Sequence, residues 1–477
     1  AYDFAYYNLG SNVASSAPFV DLVNFPAGAI PGLPSGSAFN TPAVQAFLIP
    51  KAPSGGNPGD RAQNTLAPNF SNPYSQQWNF GVQRQINSRI AAEVRYVGNH
   101  TVHNFQATDG NPALGPLVAA GFGNLIPAGL KPCSNPNAPG FAGGIGYANC
   151  NLTDDVQYAT TAYSFYDGLQ SELRMQNWHG LTVNATYTFS KALDNTSEAF
   201  SSTQSLGGYG GNTNQYAQNP FDISRAEKAL SGYDFPHVAG VVFIYDLPFY
   251  KGQKGIVGHL LGGWQMSTTY RYTSGQPYTV VENQQPNSLC DPTNFSGGGI
   301  DECRPILSNA ALPFTSVGQY CDGTTATCLA AGGAALPLGT LVSVNDPCLG
   351  SSAGSSPCAV TPITGAHWIQ NDPTSAKILG SPFVGARRSL YRGQAISTSN
   401  LAFFKNTRLT EKLTLQFQAQ AFNWMNTQFR GVPIGDINLQ GFGSTEFNNN
   451  GGGTFAANTT YDGIAQRHLL FGAKLIF

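Results

Sequence analysis

The stretch LTVNATYTFS, Leu181–Ser190, alternates strictly between apolar and polar side chains. Its polar positions are Thr, Asn and Ser. Its apolar positions are Leu181, Val183, Ala185, Tyr187 and Phe189. Successive side chains of a β-strand point to opposite faces of the sheet, so this pattern predicts a strand with one apolar and one polar face.

Eight more segments show the same alternation, and most follow one another as hairpins separated by short turns. They are 77–86, 90–96, 163–176, 237–249, 263–275, 396–409, 412–424 and 467–477. Further strands are expected within 1–9, 41–49 and 276–282. The nine main segments predict an all-β protein built as an antiparallel up-and-down sheet.

Long segments rich in Gly, Asn, Ser and Pro separate the hairpins. They are 104–160, 192–235, 283–396 and 431–466. Tight turns at one end and long loops at the other are typical of an outer-membrane β-barrel. We therefore expect residues 72–477 to form such a barrel, or its C-terminal half, preceded by an extended segment over 1–71 that contains possible first strands.

The composition agrees with a barrel and argues against a nucleic-acid-binding protein and against a helical membrane protein. Charged residues make up only 10% of the chain, beside 41% hydrophobic residues, 55 Gly and 31 Pro. A net charge of −2 offers no basic surface for nucleic acid. No apolar run is long enough for a transmembrane helix. Because the chain begins at Ala1 without a signal peptide, we expect a processed chain or a fragment.

Aromatic side chains near the strand ends favour a membrane barrel, because such barrels carry aromatic girdles at both bilayer interfaces. The candidates for this role are Trp78, Tyr96, Trp178, Trp264, Tyr272 and Trp424. The alternative is that these rings form the core of a large soluble β-sandwich. A sandwich would show the same alternation along its strands.

The eight cysteines all lie in loop-like sequence, and their even number favours disulfides formed in an oxidising compartment. Eight cysteines allow 105 connectivities. Pairing of neighbours is the simplest arrangement, and each bridge would then close one loop. The expected pairs are Cys133–Cys150, Cys290–Cys303, Cys321–Cys328 and Cys348–Cys358.

A series of segments in order resembles a known family. It includes NPYSQQWNFGVQRQI, LTVNATYTFSKALDN, NPFDISRAEKALSGYDFPHVAGVVFIYDLPF, GWQMSTTYRYTSGQPYTV and LAFFKNTRLTEKLTLQFQAQAFNWMNTQFRGVP. Together these look like the C-terminal barrel half of TonB-dependent receptor-like proteins of the Oar-like branch, which carry a carboxypeptidase-regulatory-like domain. The resemblance runs from about Asn72 to Phe477, with the long loops unmatched.

This resemblance implies a 22-stranded barrel in the outer membrane, an internal plug and energy supplied through TonB. Outer-membrane lipid, a plug or N-terminal barrel half and the TonB system are the implied partners. The chain shows no plug, TonB box or regulatory-like domain, and nine to twelve strands cannot close such a barrel. Either the first half is missing, or about 12 strands close by themselves, or unpaired edges join other copies.

The last residues, RHLLFGAKLIF, resemble the closing strand of an outer-membrane barrel. Leu469, Phe471, Leu475 and Phe477 share one parity and would face lipid. The terminal Phe477 resembles the aromatic residue that barrel-insertion machinery reads. We expect these four residues to form the insertion signal.

No catalytic or nucleotide-binding motif is present, so we expect neither an enzyme nor a cofactor. His100 and His103 could share a metal, although a solvated loop pair is the simpler interpretation. Asp154-Asp155 could ligate calcium but suits a surface turn better. Arg387-Arg388 could contact lipopolysaccharide phosphates or form a charge pair at a strand end.

Two functions remain open from the sequence. The first is uptake or binding of a nutrient by a TonB-dependent receptor-like barrel at the bacterial outer membrane. The second is a secreted or surface structural protein that assembles into a fibre, tube or lattice through strand edges and loops. Flotation with outer-membrane vesicles would favour the first function, and pelleting as a detergent-free polymer the second.

Replacing Phe477 with Ser tests the insertion signal. We expect a lower amount of protein in the outer membrane, because the terminal aromatic ring is lost, and Phe477→Tyr should behave like the natural protein. The measurement is the amount of folded protein in isolated outer membranes. Unchanged levels for Phe477→Ser would contradict the expectation.

Overall fold

The computed structural model describes residues 63–153, 155–197, 217–224, 226–282, 289, 303–350, 358–427, 433, 435–438 and 467–477. The possible strands within 1–9 and 41–49 lie outside these residues. None of the helices in the described part of the chain is long and apolar enough to cross a membrane.

The described residues form seventeen strands and three short α-helices. In chain order the strands are β1 Gln63–Leu66, β2 Tyr74–Asn87, β3 Ile90–Asp109, β4 Asp155–Trp178, β5 Leu181–Asp194, β6 Ala229–Leu230, β7 His237–Asp246, β8 Trp264–Thr273, β9 Pro277–Tyr278, β10 Ile306–Leu307, β11 Val317–Tyr320, β12 Leu341–Ser343, β13 Trp368–Ile369, β14 Tyr391–Arg392, β15 Ile396–Arg408, β16 Thr414–Phe422 and β17 His468–Ile476. The helices are α1 Gly115–Ala119, α2 Gly255–Leu261 and α3 Pro373–Leu379.

Nine long strands form one antiparallel sheet in the order β17-β16-β15-β8-β7-β5-β4-β3-β2. Each long strand pairs with the next long strand along the chain, as in an up-and-down barrel. These nine strands coincide with the nine alternating segments, so the predicted fold class is confirmed. The short strands β1 and β6 add to the same sheet by pairing with β4 and β5.

The register gives the sheet one apolar and one polar face, because directly paired residues share a face. On the apolar face Ala419 pairs with both Phe403 and Phe471. Thr186 lies on the polar face, where it pairs with Glu172 and Gly240. Apolar side chains remain exposed across the whole sheet, for example Phe80 at 72%. In an outer-membrane barrel this face meets lipid.

The two ends of the sheet differ in their connections. Tight turns join β2 to β3, β4 to β5 and β15 to β16, and a connection containing α2 joins β7 to β8 at the same end. We call this the turn end and the opposite end the loop end. Outer-membrane barrels have short periplasmic turns and longer extracellular loops. In such a barrel the turn end would face the periplasm and the loop end would face outward.

Three of the expected loops contain regular structure, which within 192–235 is the short strand β6. The expected loop 104–160 is shorter, because β3 continues to Asp109 and β4 begins at Asp155. The expected loop 283–396 contains a separate sheet in the order β10-β13-β11-β12. These strands are only two to four residues long, which is too short to show a clear alternation. The expected strand within 276–282 is only β9, which pairs with β14.

The strands β2 and β17 end the pairing path, and no pairing between them is found in the described part of the chain. All 14 residues of β2 are exposed. In β17 the apolar residues Leu469, Phe471 and Leu475 pair with Ala421, Ala419 and Leu415 of β16, and its other edge is open among the described residues. Both edges present backbone groups that can pair with another strand.

The sequence predicts Asp155 in a surface turn or as a calcium ligand, but in the structure it is buried at the start of β4. Asp154 lies outside the described residues. The hydroxyl oxygen of Thr65 in β1 lies 2.9 and 3.0 Å from the two carboxylate oxygens. A 24-residue strand is roughly 80 Å long, so this end lies beyond the ~30 Å hydrocarbon core. Burial raises the pKa of Asp155 to about 6, although the hydrogen bond from Thr65 lowers it in part.

Asp155→Asn should remove a pH dependence of the pairing between β1 and β4. The natural carboxyl is neutral in the folded state below its raised pKa of about 6. Its contribution to stability is therefore full below the ordinary value of 3.8 and is lost as the pH rises through about 6. Hydrogen exchange of the Gln63–Leu66 amides should therefore be faster at pH 7 than at pH 5. The increase should be about tenfold larger than the intrinsic pH dependence of amide exchange alone would give.

In Asp155→Asn that extra acceleration should disappear. Asp246→Asn, at an exposed carboxylate near the turn end, is the matched control and should behave like the natural protein. An identical pH response in the Asp155→Asn protein would contradict the burial argument.

Candidate functional site

The candidate site is the folded assembly at the loop end, which we call the loop cap. It comprises the described residues of 110–153, 217–236, 274–282 and 303–395. One apolar cluster joins three of these four ranges, because Leu117 of α1 and Ala376 of α3 pack with Phe221. A second cluster surrounds the fully buried Trp368. The cap is thus a packed structure with its own core.

Disulfides close individual loops of the cap. The structure contains Cys133–Cys150, Cys321–Cys328 and Cys348–Cys358, which are three of the four expected neighbour pairs. Cys321 and Cys328 are buried against Val342 and Val360, so this bridge is also part of an apolar cluster. The expected pair Cys290–Cys303 involves Cys290, which lies outside the described residues.

Four buried charged residues tie the loops of the cap to each other and to the sheet. Arg304 makes a forked contact with Glu227, with both nitrogen–oxygen distances at 2.7 Å. Arg388 lies 3.4 Å from the same carboxylate and 2.8 Å from Asp194 at the end of β5. We call Asp194, Glu227, Arg304 and Arg388 the charge cluster; each is less than a twentieth exposed.

Close packing surrounds the charge cluster. The side-chain oxygen of Gln218 accepts a hydrogen bond from Arg304 at 3.0 Å, and the Gln218 backbone N–H donates to Glu227 at 3.1 Å. A Cβ at Gly385 would lie 2.3 Å from the backbone oxygen of Arg304, so only glycine fits there. Nearby, Arg392 binds Asp234 and donates to its backbone oxygen at 2.7 Å.

The charge cluster keeps Glu227 ionised. Burial alone would raise the pKa of this carboxyl, but the charges and hydrogen bonds of Arg304, with the charge of Arg388, outweigh burial and lower it. The resulting stability is present above the ordinary value of 4.5 and is lost as the pH falls through the lower folded value. This contribution of Glu227 to the stability of the cap is therefore present at neutral pH.

The histidine and arginine pairs occupy places that differ from those expected. Arg388 is buried in the charge cluster and cannot reach lipopolysaccharide, whereas Arg387 is exposed. His100 and His103 lie in strand β3 and not in a loop; His100 stacks on Phe165 with ring centroids 4.1 Å apart. Among the described residues no group of three or more His, Cys, Asp or Glu could hold a metal ion.

Below the cap, the polar face of the sheet carries hydroxyl, amide and charged groups. A recess of ≈ 280 Å³ is lined in part by Asn184, Thr186, Gly240 and Arg271. Elsewhere on this face, Arg174 makes a forked contact with Glu172 at 2.6 and 2.7 Å. Hydroxyl, amide and guanidinium groups of this kind can form hydrogen bonds with a polar molecule.

The expected interface aromatics fall into two groups along the strands. Trp178 and Trp264 lie at the turn end, whereas Trp78, Tyr96, Tyr272 and Trp424 lie toward the loop end. Trp264 and Tyr272 are the first and ninth residues of β8 and are therefore roughly 26 Å apart along that strand. Near the loop end, the Tyr96 hydroxyl donates to Asp167 at 2.6 Å.

The four residues of the expected insertion signal lie on the apolar face of β17 or directly after it. The side chains of Leu469, Phe471 and Leu475 are each about half exposed or more, and Phe477 is 94% exposed. Their side chains therefore form an apolar ridge beside the open edge of the sheet. They are far along the chain from the loop cap and take no part in the charge cluster.

The charge cluster is not among the sites that the sequence predicts. The sequence nevertheless contains a signal for it. Charged residues are only 10% of the chain, so those that fall in the Gly-rich loops are unusual. Buried charges need partners, so each such residue is a candidate for a buried ion pair. Nothing local in the sequence names the partner, however, since Arg388 and Asp194 are 194 residues apart.

Comparison with known proteins defines the class. A family model described as an outer membrane beta barrel domain matches residues 1–456. The chain belongs to this family of outer-membrane β-barrel domains, and the protein is located in the bacterial outer membrane. A search of curated proteins found no match.

Several solved structures are similar in a coarse sense. The outer membrane transporter YddB from Escherichia coli is 8% identical with a TM-score of 0.34, over 88% of this chain and 35% of the transporter. The FrpB iron transporter from Neisseria meningitidis is 7% identical with a TM-score of 0.30, over 88% and 33%.

The ferripyoverdine receptor of the outer membrane of Pseudomonas aeruginosa is 10% identical with a TM-score of 0.31, over 85% of this chain and 27% of the receptor. The chain thus spans about a third or less of the length of these three proteins.

Glu227→Gln should loosen the loop cap. The substitution leaves Arg304 and Arg388 buried without the charge that compensates them, and breaking a buried pair in this way costs about 3–5 kcal/mol. Hydrogen exchange of backbone amides near Arg304 and Arg388 should become faster, while the long strands keep their protection. Glu411→Gln, in the exposed turn between β15 and β16, is the control; equal exchange in both variants would refute the role of Glu227.

Proposed function

We propose that this chain forms part of the barrel of an outer-membrane receptor that binds or takes up a polar nutrient at its outward face and has no enzymatic activity. The observation that carries the proposal is the loop cap itself. A set of loops that is packed, bridged by disulfides and tied by a charge cluster presents a surface of constant shape. Binding sites gain affinity when their loops are ordered before the ligand arrives.

The chemistry of the polar face supports the same function. The recess near Gly240 and the forked Arg174–Glu172 pair lie on the face that lines a barrel interior. Hydroxyl, amide and guanidinium groups can replace the hydration of a polar solute that passes the cap. The cap would select the solute, and the polar face would accompany it inward.

The open edges of β2 and β17 require partners, because an unpaired edge cannot be left in hydrocarbon. In the proposed receptor, further barrel strands would pair with both edges, and a plug and the TonB system would control passage. Residues 72–477 would be the barrel region described here, and 1–71 the segment that leads into it. The two groups of interface aromatics would mark the two lipid–water boundaries.

The same open edges favour a second candidate function. Edges of β2 and β17 from different copies could pair and build a fibre, tube or lattice at the cell surface. Such an assembly would pellet without detergent, and its size would grow with protein concentration. A receptor would float with outer-membrane vesicles and would disperse in detergent as particles of one size.

Growth of a strain that lacks the protein tests the receptor proposal. Ferric chelates, oligosaccharides and short peptides are supplied one at a time as the limiting nutrient. We expect slower growth on one class of nutrient, with recovery when the natural protein is restored. The Glu227→Gln protein should restore growth less well because its cap is loose, whereas Glu411→Gln should restore it fully.

The amount of each variant in the outer membrane is measured in parallel, so that a loss of growth at equal protein level reports on binding. Equal growth of both strains on every nutrient would argue against uptake. If the protein then also pelleted as a polymer, the structural alternative would replace the receptor proposal.

A further inference from the structure

The connection between β7 and β8 is unlike the other connections at the turn end. It runs from Leu247 to Gly263 and contains α2. Four apolar side chains of α2 are exposed, at 82% for Ile256, 55% for Val257, 64% for Leu260 and 52% for Leu261. No described part of the protein covers them. This connection also carries the exposed cations Lys251 and Lys254.

Hydrogen bonds hold this connection firmly against the end of β15. The side chain of Gln253 donates to the backbone oxygen of Asn406 at 2.8 Å and accepts from the Arg408 backbone N–H at 3.0 Å. A Cβ at Gly263 would lie 2.2 Å from that same Asn406 oxygen, so the chain can pass there only as glycine. The exposed face of α2 is therefore held in one position.

A groove lies between α2 and the apolar face of the sheet. Its volume is ≈ 680 Å³, which is within the range of about 300–1,000 Å³ for small-molecule sites. Its walls include Ile256 and Leu260 from α2, and Trp264 and Phe417 from the strands. The indole N–H of Trp264 donates to the Leu260 backbone oxygen at 3.1 Å, which closes one side of the groove.

A single lysine lies in the wall of this groove. Lys405 is on the apolar face, where it pairs in register with Trp264 and Phe417. It is buried, its ammonium donates to the backbone oxygen of Gly262, and its nitrogen is 5.9 Å from the Trp264 ring centroid. An ammonium has three donors, and no carboxylate pairs with Lys405 within the described part of the chain.

We propose that this groove binds a phospholipid of the periplasm-facing leaflet, with an acyl chain between α2 and the sheet and the phosphate on the ammonium of Lys405. The groove continues the lipid-facing apolar surface and lies at the periplasmic end. The contacts with Gly262 and Trp264 leave the charge of Lys405 without an anion in the described structure, and the phosphate would provide one. Lys251 and Lys254 increase the positive charge at the same edge. Lipopolysaccharide occupies the other leaflet and cannot reach it.

Native mass spectrometry of the detergent-solubilised protein tests the proposal with dimyristoylphosphatidylglycerol as the probe. We expect a bound lipid that survives gentle activation, and an affinity at least about tenfold lower in Lys405→Met, because the charge-assisted contact is lost. Thr407→Phe, which fills the groove without changing charge, should lose the lipid as well. Lys412→Met, at an exposed lysine of the neighbouring turn, is the control and should bind like the natural protein.

Dimyristoylglycerol, which has the same acyl chains and no phosphate, should bind the natural protein about tenfold less tightly. Equal binding of the two lipids, or equal binding by Lys405→Met and the natural protein, would overturn the assignment of the phosphate to Lys405. A paired second copy of the chain in place of bound lipid would show a protein interface and overturn the proposal as a whole. Heat-modifiable migration on gels verifies that each variant is folded.

Discussion

The sheet depends on one constraint, which is that hydrocarbon offers no hydrogen-bond partner to a peptide group. Every backbone N–H and C=O within the bilayer must therefore pair with a neighbouring strand. The nine long strands satisfy this rule along one antiparallel path, and the register keeps apolar residues such as Phe403 and Phe471 on the same face. The open edges of β2 and β17 are the places where the rule still requires another strand.

Beyond the bilayer the constraint changes, and so do the interactions. The long loops lack alternation and must be ordered by other means, which are disulfides, small apolar clusters and the charge cluster. Arg304 and Arg388 converge on Glu227, and Arg388 also reaches Asp194 of the sheet. A chain with few charges thus buries several of them where they connect loops that no local interaction would hold together.

The periplasmic end uses charge in a different way. There Lys405 lies with α2 in the wall of a groove beside the apolar face of the sheet. Arg304, Arg388 and Arg392 of the cap are neutralised by carboxylates of the protein, whereas Lys405 has no carboxylate partner in the described structure. The first arrangement stabilises the loop cap, and the second suits an anion that comes from the membrane.

The sequence by itself determined the nine long strands, because a period of two is a local property that Leu181–Ser190 and Arg467–Phe477 display without reference to the rest of the chain. It also indicated the three disulfides between neighbouring cysteines. Only the tertiary structure decided the burial of Asp155 and Arg388 and the position of Lys405 beneath α2. Arg304 and Glu227 are 77 residues apart, and such partners meet only because the folded path of the chain brings their loops together.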